Sequence, residues 1–213
     1  MKSRGRPDKN DEDGRARLVL AARRCFTTAP YSQVTTRMLA QEAGVDAALI
    51  RYYFENKEGL YKAMFMEVTG EVIAGIEQAI SDDKPFDLED IFHIFYDVIK
   101  QSPSFPILMF KEIVLEQGIC RDYLIEKIER TRKPFFLSIL TQLKEQGLIR
   151  EELDERLLIL NLMGLMIFPW YMRENMATEM GIEFNDEQLS RMATHNANMF
   201  KYGCFKERVK DEN

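Results

Sequence analysis

Thr35 to Lys57 constrains this chain more than any other stretch. It reads Thr-Thr-Arg-Met-Leu-Ala-Gln-Glu-Ala-Gly-Val-Asp-Ala-Ala-Leu-Ile-Arg-Tyr-Tyr-Phe-Glu-Asn-Lys. Apolar residues fall at helical spacing at Leu39, Ala40 and Ala43, and again at Leu49, Ile50, Tyr53 and Phe54. Between them, Gly44 can take the positive φ that ends a helix. Val45 can plug the angle between the helices, and Asp46 is a good N-cap for the second. Two short helices around such a turn make a helix-turn-helix, whose second helix can lie in the major groove of DNA.

The rest of the chain keeps the same helical grammar. A first helix is expected over Glu12–Thr28, with Leu18, Ala22, Cys25 and Phe26 on one face and Arg15, Arg17, Arg23 and Arg24 supplying charge. Ala29-Pro30-Tyr31-Ser32 breaks it. From Lys57 a long helix runs to Ile80, its apolar residues repeating at i+4 from Leu60. Asp87 caps a helix carrying Leu88, Ile91, Phe92, Phe95, Val98 and Ile99. Further helices are expected over Ile107–Glu116, Asp122–Gln146 (kinked or split by Pro134), Asp154–Glu174 (bent by Pro169), and from Asn185-Asp186 to Val209. No strand alternation and no internal repeat of 20–50 residues interrupts this. The fold class is all-α.

Composition sets limits on function. At 213 residues, with 46 % hydrophobic and 30 % charged residues, the chain can bury a core without disulfides or metals. Its net charge of −6 excludes a generally basic coat, but the charge is uneven. Residues 1–60 hold 11 Lys/Arg against 8 Asp/Glu, and the remainder holds 18 against 27. A basic N-terminal part on an acidic body fits a local DNA-binding face. Residues 1–10 read as a disordered tail in which Lys2, Arg4 and Arg6 form a basic arm. Cys25, Cys120 and Cys204 form no C-x-x-C pair and fit reduced thiols in a cytoplasmic protein. The longest apolar run, Leu157–Met172, is 16 residues, contains Asn161 and Pro169, and is too short to span a bilayer. The N-terminus has no secretory h-region. Catalysis finds no support: phosphate-cradling glycine loops, H-E-x-x-H and G-x-S-x-G are missing, and His93 and His195 stand 102 positions apart. No enzyme activity, cofactor or metal is expected.

From Arg15 to Met66 the chain resembles the N-terminal domain of the TetR family of transcriptional regulators. The residues that carry the resemblance are Ala21-Ala22-Arg23-Arg24-Cys25-Phe26, Val34-Thr35-Thr36-Arg37-Met38-Leu39-Ala40, Ala43-Gly44-Val45, Ile50, Tyr52-Tyr53-Phe54 and Asn56-Lys57-Glu58-Gly59-Leu60. The resemblance implies a three-helix head over residues 1–60 on a helical effector-binding and dimerisation body over 61–213, about nine helices in all. Thr36 matches a family position that contacts phosphate, Arg37 one that reaches the backbone or a groove base, and Tyr53 and Lys57 positions that clamp phosphates. On the reading helix, Ala47, Ala48, Leu49, Arg51 and Tyr52 lie opposite Ile50 and Phe54. Arg51 can bond a guanine edge, and the small apolar residues can touch thymine methyls. Many relatives carry polar residues at Ala47, Ala48 and Leu49, so base reading here leans on Arg37, Arg51, Tyr52 and DNA shape. Pro30 stands where relatives often have glycine.

For the body, the resemblance implies that the last two long helices pair across a dyad. Leu158, Met192, Asn196, Met199, Phe200 and Gly203 are the candidate dimer residues. It also implies a pocket for an apolar or aromatic effector, for which Phe92, Phe95, Tyr96, Phe110, Phe136, Met163, Met166 and Trp170 are the candidates. Glu112 and Glu116, one turn apart, could meet a cationic effector. The expected function is a cytoplasmic, dimeric repressor of a palindromic operator in double-stranded DNA, released by a small-molecule effector and free of membranes. The alternative is a small-molecule-binding helical protein or enzyme whose helix-turn-helix no longer reads specific DNA.

Overall fold

A computed structural model describes residues 9–81, 88–114, 118–145, 147, 149–173 and 179–204. Among these, every element is helical. The helices are α1 (Lys9–Thr28), α2 (Thr36–Ala43), α3 (Ala48–Phe54), α4 (Lys57–Ser81), α5 (Leu88–Ile99), α6 (Phe105–Val114), α7 (Arg121–Lys127), α8 (Lys133–Glu145), α9 (Glu155–Met172) and α10 (Asp186–Cys204). α7 runs into α8 through a π-helical turn at Ile128–Arg132. With that continuous pair counted once, the described residues contain nine helices, as expected. α1 begins at Lys9, three residues before the expected Glu12. The basic arm Lys2, Arg4 and Arg6 lies outside the described residues.

Pro134 explains the π turn. It has no N–H, so the carbonyl four residues back, that of Arg130, has no partner in an α ladder. The widened turn sits over that carbonyl, and the helix continues where a split was one expectation.

The chain forms two compact units. The first joins residues 1–71 to 102–124, and the second joins 72–101 to 125–213. In the first, Leu18, Val19, Ala22 and Phe26 of α1 meet Val34, Leu39, Ile50, Leu60, Met64 and Phe65, all buried. Rings extend this core: Phe26, Tyr31 and Tyr61 lie within 4.5–5.5 Å of one another, and Phe65 stands 5.4 Å from Phe105. In the second, α5 packs chiefly on α10, with α8 and α9 completing the core. Phe92, Tyr96, Leu162, Met166, Trp170, Ala193 and Ala197 are buried there. Among the described residues, no helix is long and apolar enough to cross a membrane.

Candidate nucleic-acid interface

The helix-turn-helix is fastened at each joint by a local bond that the sequence supplies. Thr35 caps α2, its Oγ1 accepting from Met38 N at 3.2 Å. Gly44 ends α2 with φ 62°. Its N–H donates to Gln41 O and that of Val45 to Ala40 O, the paired bonds that close a helix C-terminus. Asp46 Oδ1 accepts from Ala48 N at 2.7 Å and caps α3. Asn56 Oδ1 does the same for Gly59 N at 2.9 Å, opening α4. Gly59 is required there, because a Cβ would stand 1.9 Å from the Phe54 carbonyl oxygen.

α1 locks the motif from behind, which the residue pattern did not disclose. Arg17 donates through Nε to Ala43 O at 2.9 Å and through Nη2 to Ala43 O at 2.5 Å and Gly44 O at 2.6 Å. A guanidinium on the open carbonyls of a helix C-terminus also opposes its partial negative charge. The other arginines of α1 are engaged as well. Arg23 is buried and pairs with Glu71 at 2.6 Å, Arg24 with Glu42 at 3.1 Å, and Arg15 with Glu67 at 3.5 Å. The basic charge of α1 is therefore largely matched within the unit. Arg37 and Arg51 are exposed and carry no ion pair among the described residues.

The expected DNA-contacting residues divide into two groups. Thr36, Arg37, Ala47, Ala48, Arg51 and Tyr52 are exposed, Tyr52 at 72 %. Leu49, Tyr53 and Lys57 are half-buried. Leu49 Cδ1 lies 3.3 Å from where a Cβ on Gly14 would be, so it packs toward α1 rather than standing on the open face. Tyr53 sits edge-on between Tyr52 at 4.7 Å and Phe54 at 6.0 Å. Lys57 departs most from expectation. Its ammonium donates to Tyr31 O at 2.9 Å and Val34 O at 2.8 Å and lies 3.9 Å from the Tyr31 ring centroid. This lysine ties the 29–35 loop to the start of α4. That bond needs the fold to bring positions 26 and 23 apart together, so periodicity could not reveal it.

Of the effector candidates, Phe92, Phe95, Tyr96, Phe136, Met166 and Trp170 are buried in the second unit, and Met163 is half-buried. Tyr96 links several of them, at 6.2 Å from Phe92, 5.9 Å from Phe95 and 6.1 Å from Trp170. Phe110 belongs to the first unit and is 41 % exposed. Glu112 is not open to a cation. It is buried, with Tyr61 Oη donating to Oε1 at 2.8 Å and Cys120 N to Oε2 at 3.0 Å. Burial, with the Glu112 carboxylate beside it, pushes the Cys120 thiol up to about 12. Glu116 lies outside the described residues.

The dimer candidates also separate. Leu158, Asn196 and Phe200 turn into the core of their own unit, and Met192 is half-buried, while Met199 and Gly203 face outward. The reason for Asn196 is specific. Pro169 lacks an N–H, which leaves the Leu165 carbonyl out of the α9 ladder. Asn196 Nδ2 donates to that oxygen at 3.1 Å and Tyr96 Oη at 3.3 Å, while Asn196 Nδ2 also reaches Tyr96 Oη at 2.8 Å. The outward apolar stripe instead runs through Leu157, Leu160, Gly164 and Phe168 on α9 and Met199 and Tyr202 on α10.

Comparison with known proteins agrees with this architecture. Residues 18–64 match the sequence model of the bacterial regulatory proteins of the tetR family. An uncharacterized HTH-type transcriptional regulator of Bacillus subtilis (strain 168), YhgD, is 25 % identical over 162 residues, 73 % of this chain and 84 % of its own. The crystal structure of FadR from Bacillus subtilis with stearoyl-CoA superposes with a TM-score of 0.69 at 20 % identity, covering 88 % of this chain and 98 % of that one. The SmeT–triclosan complex superposes at 0.68 and 17 % identity, covering 92 % and 93 %. The first unit holds a capped helix-turn-helix, and the described elements of the second are all helical. Over residues 18–64 the chain is similar to the TetR family of bacterial regulatory proteins, and over most of its length it shares their all-helical fold.

Proposed function

We propose that the protein is a ligand-responsive repressor that binds a palindromic operator as a homodimer and leaves it when a small, mostly apolar effector binds the body. The observation that carries this is the exposed set Arg37, Ala47, Ala48, Arg51 and Tyr52 on a motif capped at every joint. In it, Thr36 and Arg37 contact phosphate, Tyr53 supports them, and Arg51 and Tyr52 read base edges. Lys57 acts on DNA through the loop it holds. The DNA-binding function belongs to residues 1–60, and effector binding and dimerisation to residues 61–213. The outward stripe Leu157, Leu160, Phe168, Met199 and Tyr202 is the dimer face, since an exposed apolar row of this length on two helices calls for a partner. The aromatic core around Tyr96 supports an apolar effector, as do the stearoyl-CoA and triclosan held by two proteins of like fold. An effector releases DNA only if it favours one arrangement of the heads over another.

The test is gel-shift and footprinting of ligand-free protein on DNA flanking its own gene, with salt varied. A two-fold symmetric footprint and affinity that falls as salt rises are expected. Binding that shows no sequence preference at any salt concentration overturns the reading and favours a body that binds small molecules under a silent head.

A further inference from the structure

Trp170 is the single tryptophan of the chain. It is buried on α9 at 1 % exposure, and its Nε1–H has no hydrogen-bond partner among the described residues. A buried indole N–H ordinarily finds an acceptor, since otherwise it loses its hydration without replacement. Its neighbours explain why this one does not. The Leu165 carbonyl that Pro169 frees on the same helix is already taken by Tyr96 Oη and Asn196 Nδ2. Otherwise the indole meets rings, Phe184 at 5.2 Å and Tyr96 at 6.1 Å, with the buried Met166 one turn earlier on α9. The site therefore has a surplus donor in an apolar, aromatic shell, and the adaptable methionine beside it can repack around a guest.

We infer that Trp170 is the polar anchor of a ligand site in the second unit, and that its ligand is an aromatic or otherwise apolar molecule bearing an acceptor oxygen, such as a ketone or ester carbonyl. An indole N–H only donates, so an ammonium group finds no partner in it. The inference rests on the proposal that the body binds an effector, and adds the chemistry that effector carries.

Butyrophenone and butylbenzene share one carbon skeleton and differ by the carbonyl oxygen, so calorimetry on the intact protein with this pair isolates the bond. The ketone is expected to bind about 10-fold more tightly, the scale of one neutral hydrogen bond in a dry site. Trp170→Phe should remove that advantage, so that the two probes bind alike. Because the smaller ring could disturb packing, a second variant places 3-benzothienylalanine at 170, which keeps the bicyclic shape and lacks the N–H. Ultraviolet resonance Raman of the lone indole should show an unbonded N–H without ligand and a bonded one with the ketone. Equal binding of the two probes, no binding of the ketone, a ketone preference that survives both variants, or an indole already bonded without ligand overturns the inference. Its failure is separable from that of the repressor reading. Ketone bound through Trp170 with operator affinity unchanged sinks effector release alone, while release of the operator that is identical in both variants sinks the anchor alone.

Discussion

Gly59 marks the tightest point of the head. A side chain there would press on the Phe54 carbonyl oxygen and carbon, 1.9 and 3.0 Å away, and backbone atoms cannot swing aside. Gly59→Ala is expected to lower stability by about 2–4 kcal/mol in urea unfolding; a loss below about 0.5 kcal/mol would show that the start of α4 shifts freely. Arg51 and Lys57 give different signatures on DNA. Arg51→Ala should relax base preference at one position of each half-site, by about 1–3 kcal/mol of discrimination. Lys57→Ala should weaken every sequence alike and also lower the melting temperature, because it frees the loop held at Tyr31 O and Val34 O. Equal loss on all sequences for both variants would remove Arg51 as a reader. Asp154 caps α9, and its hydrogen bonds to Arg156 hold its carboxyl down to about 2. Since the unfolded chain keeps the ordinary value near 3.8, this contribution is present above about pH 4 and is lost as pH falls toward 2. Asp154→Asn should therefore flatten part of the melting-temperature decline over that window, as followed by circular dichroism.

α9 shows how one missing N–H organises an element. Pro169 frees the Leu165 carbonyl, and two side chains from α5 and α10 converge on it. Either donor alone still satisfies that oxygen. Tyr96→Phe and Asn196→Ala are thus each expected to cost about 1–2 kcal/mol, and the double variant more than their sum, because only then is the carbonyl buried without a partner. Additive losses in urea unfolding would mean that water replaces them. The spacing of α9 could not show which side faces out. The helix is apolar almost all round, so Leu158 and Leu157 are equivalent candidates in sequence, yet one is buried and the other exposed. α2 and α3 were legible to within a residue or two, because their caps at Thr35, Gly44 and Asp46 act over two to five positions.

For the whole molecule, the decisive prediction concerns association. Leu160 is 67 % exposed, so Leu160→Glu should leave the fold intact while placing a charge on the proposed dyad face. Sedimentation is expected to change from dimer to monomer, and operator affinity to fall by at least 10-fold as the two heads lose their linkage. A Leu160→Glu protein that remains dimeric would move the interface elsewhere. The basic N-terminal third contributes less free charge than its composition suggests, since Arg15, Arg23 and Arg24 are paired with Glu67, Glu71 and Glu42. The salt dependence of binding should accordingly reflect few phosphate contacts, with Arg37 foremost.

By itself, the amino-acid sequence determined the all-helical class, the helix-turn-helix and its caps, and the family the head resembles. These follow from periodicity, glycine conformation and side-chain capping, which act within one or two turns of chain. The tertiary structure alone decided the use of each charged or polar group. Arg17 closes α2 from 26 positions away, Lys57 holds a loop, Glu112 answers Tyr61 and Cys120, and Asn196 serves a proline on another helix. A charged or amide group is selected by the nearest complementary atom in space, and that atom is defined only once the helices have packed.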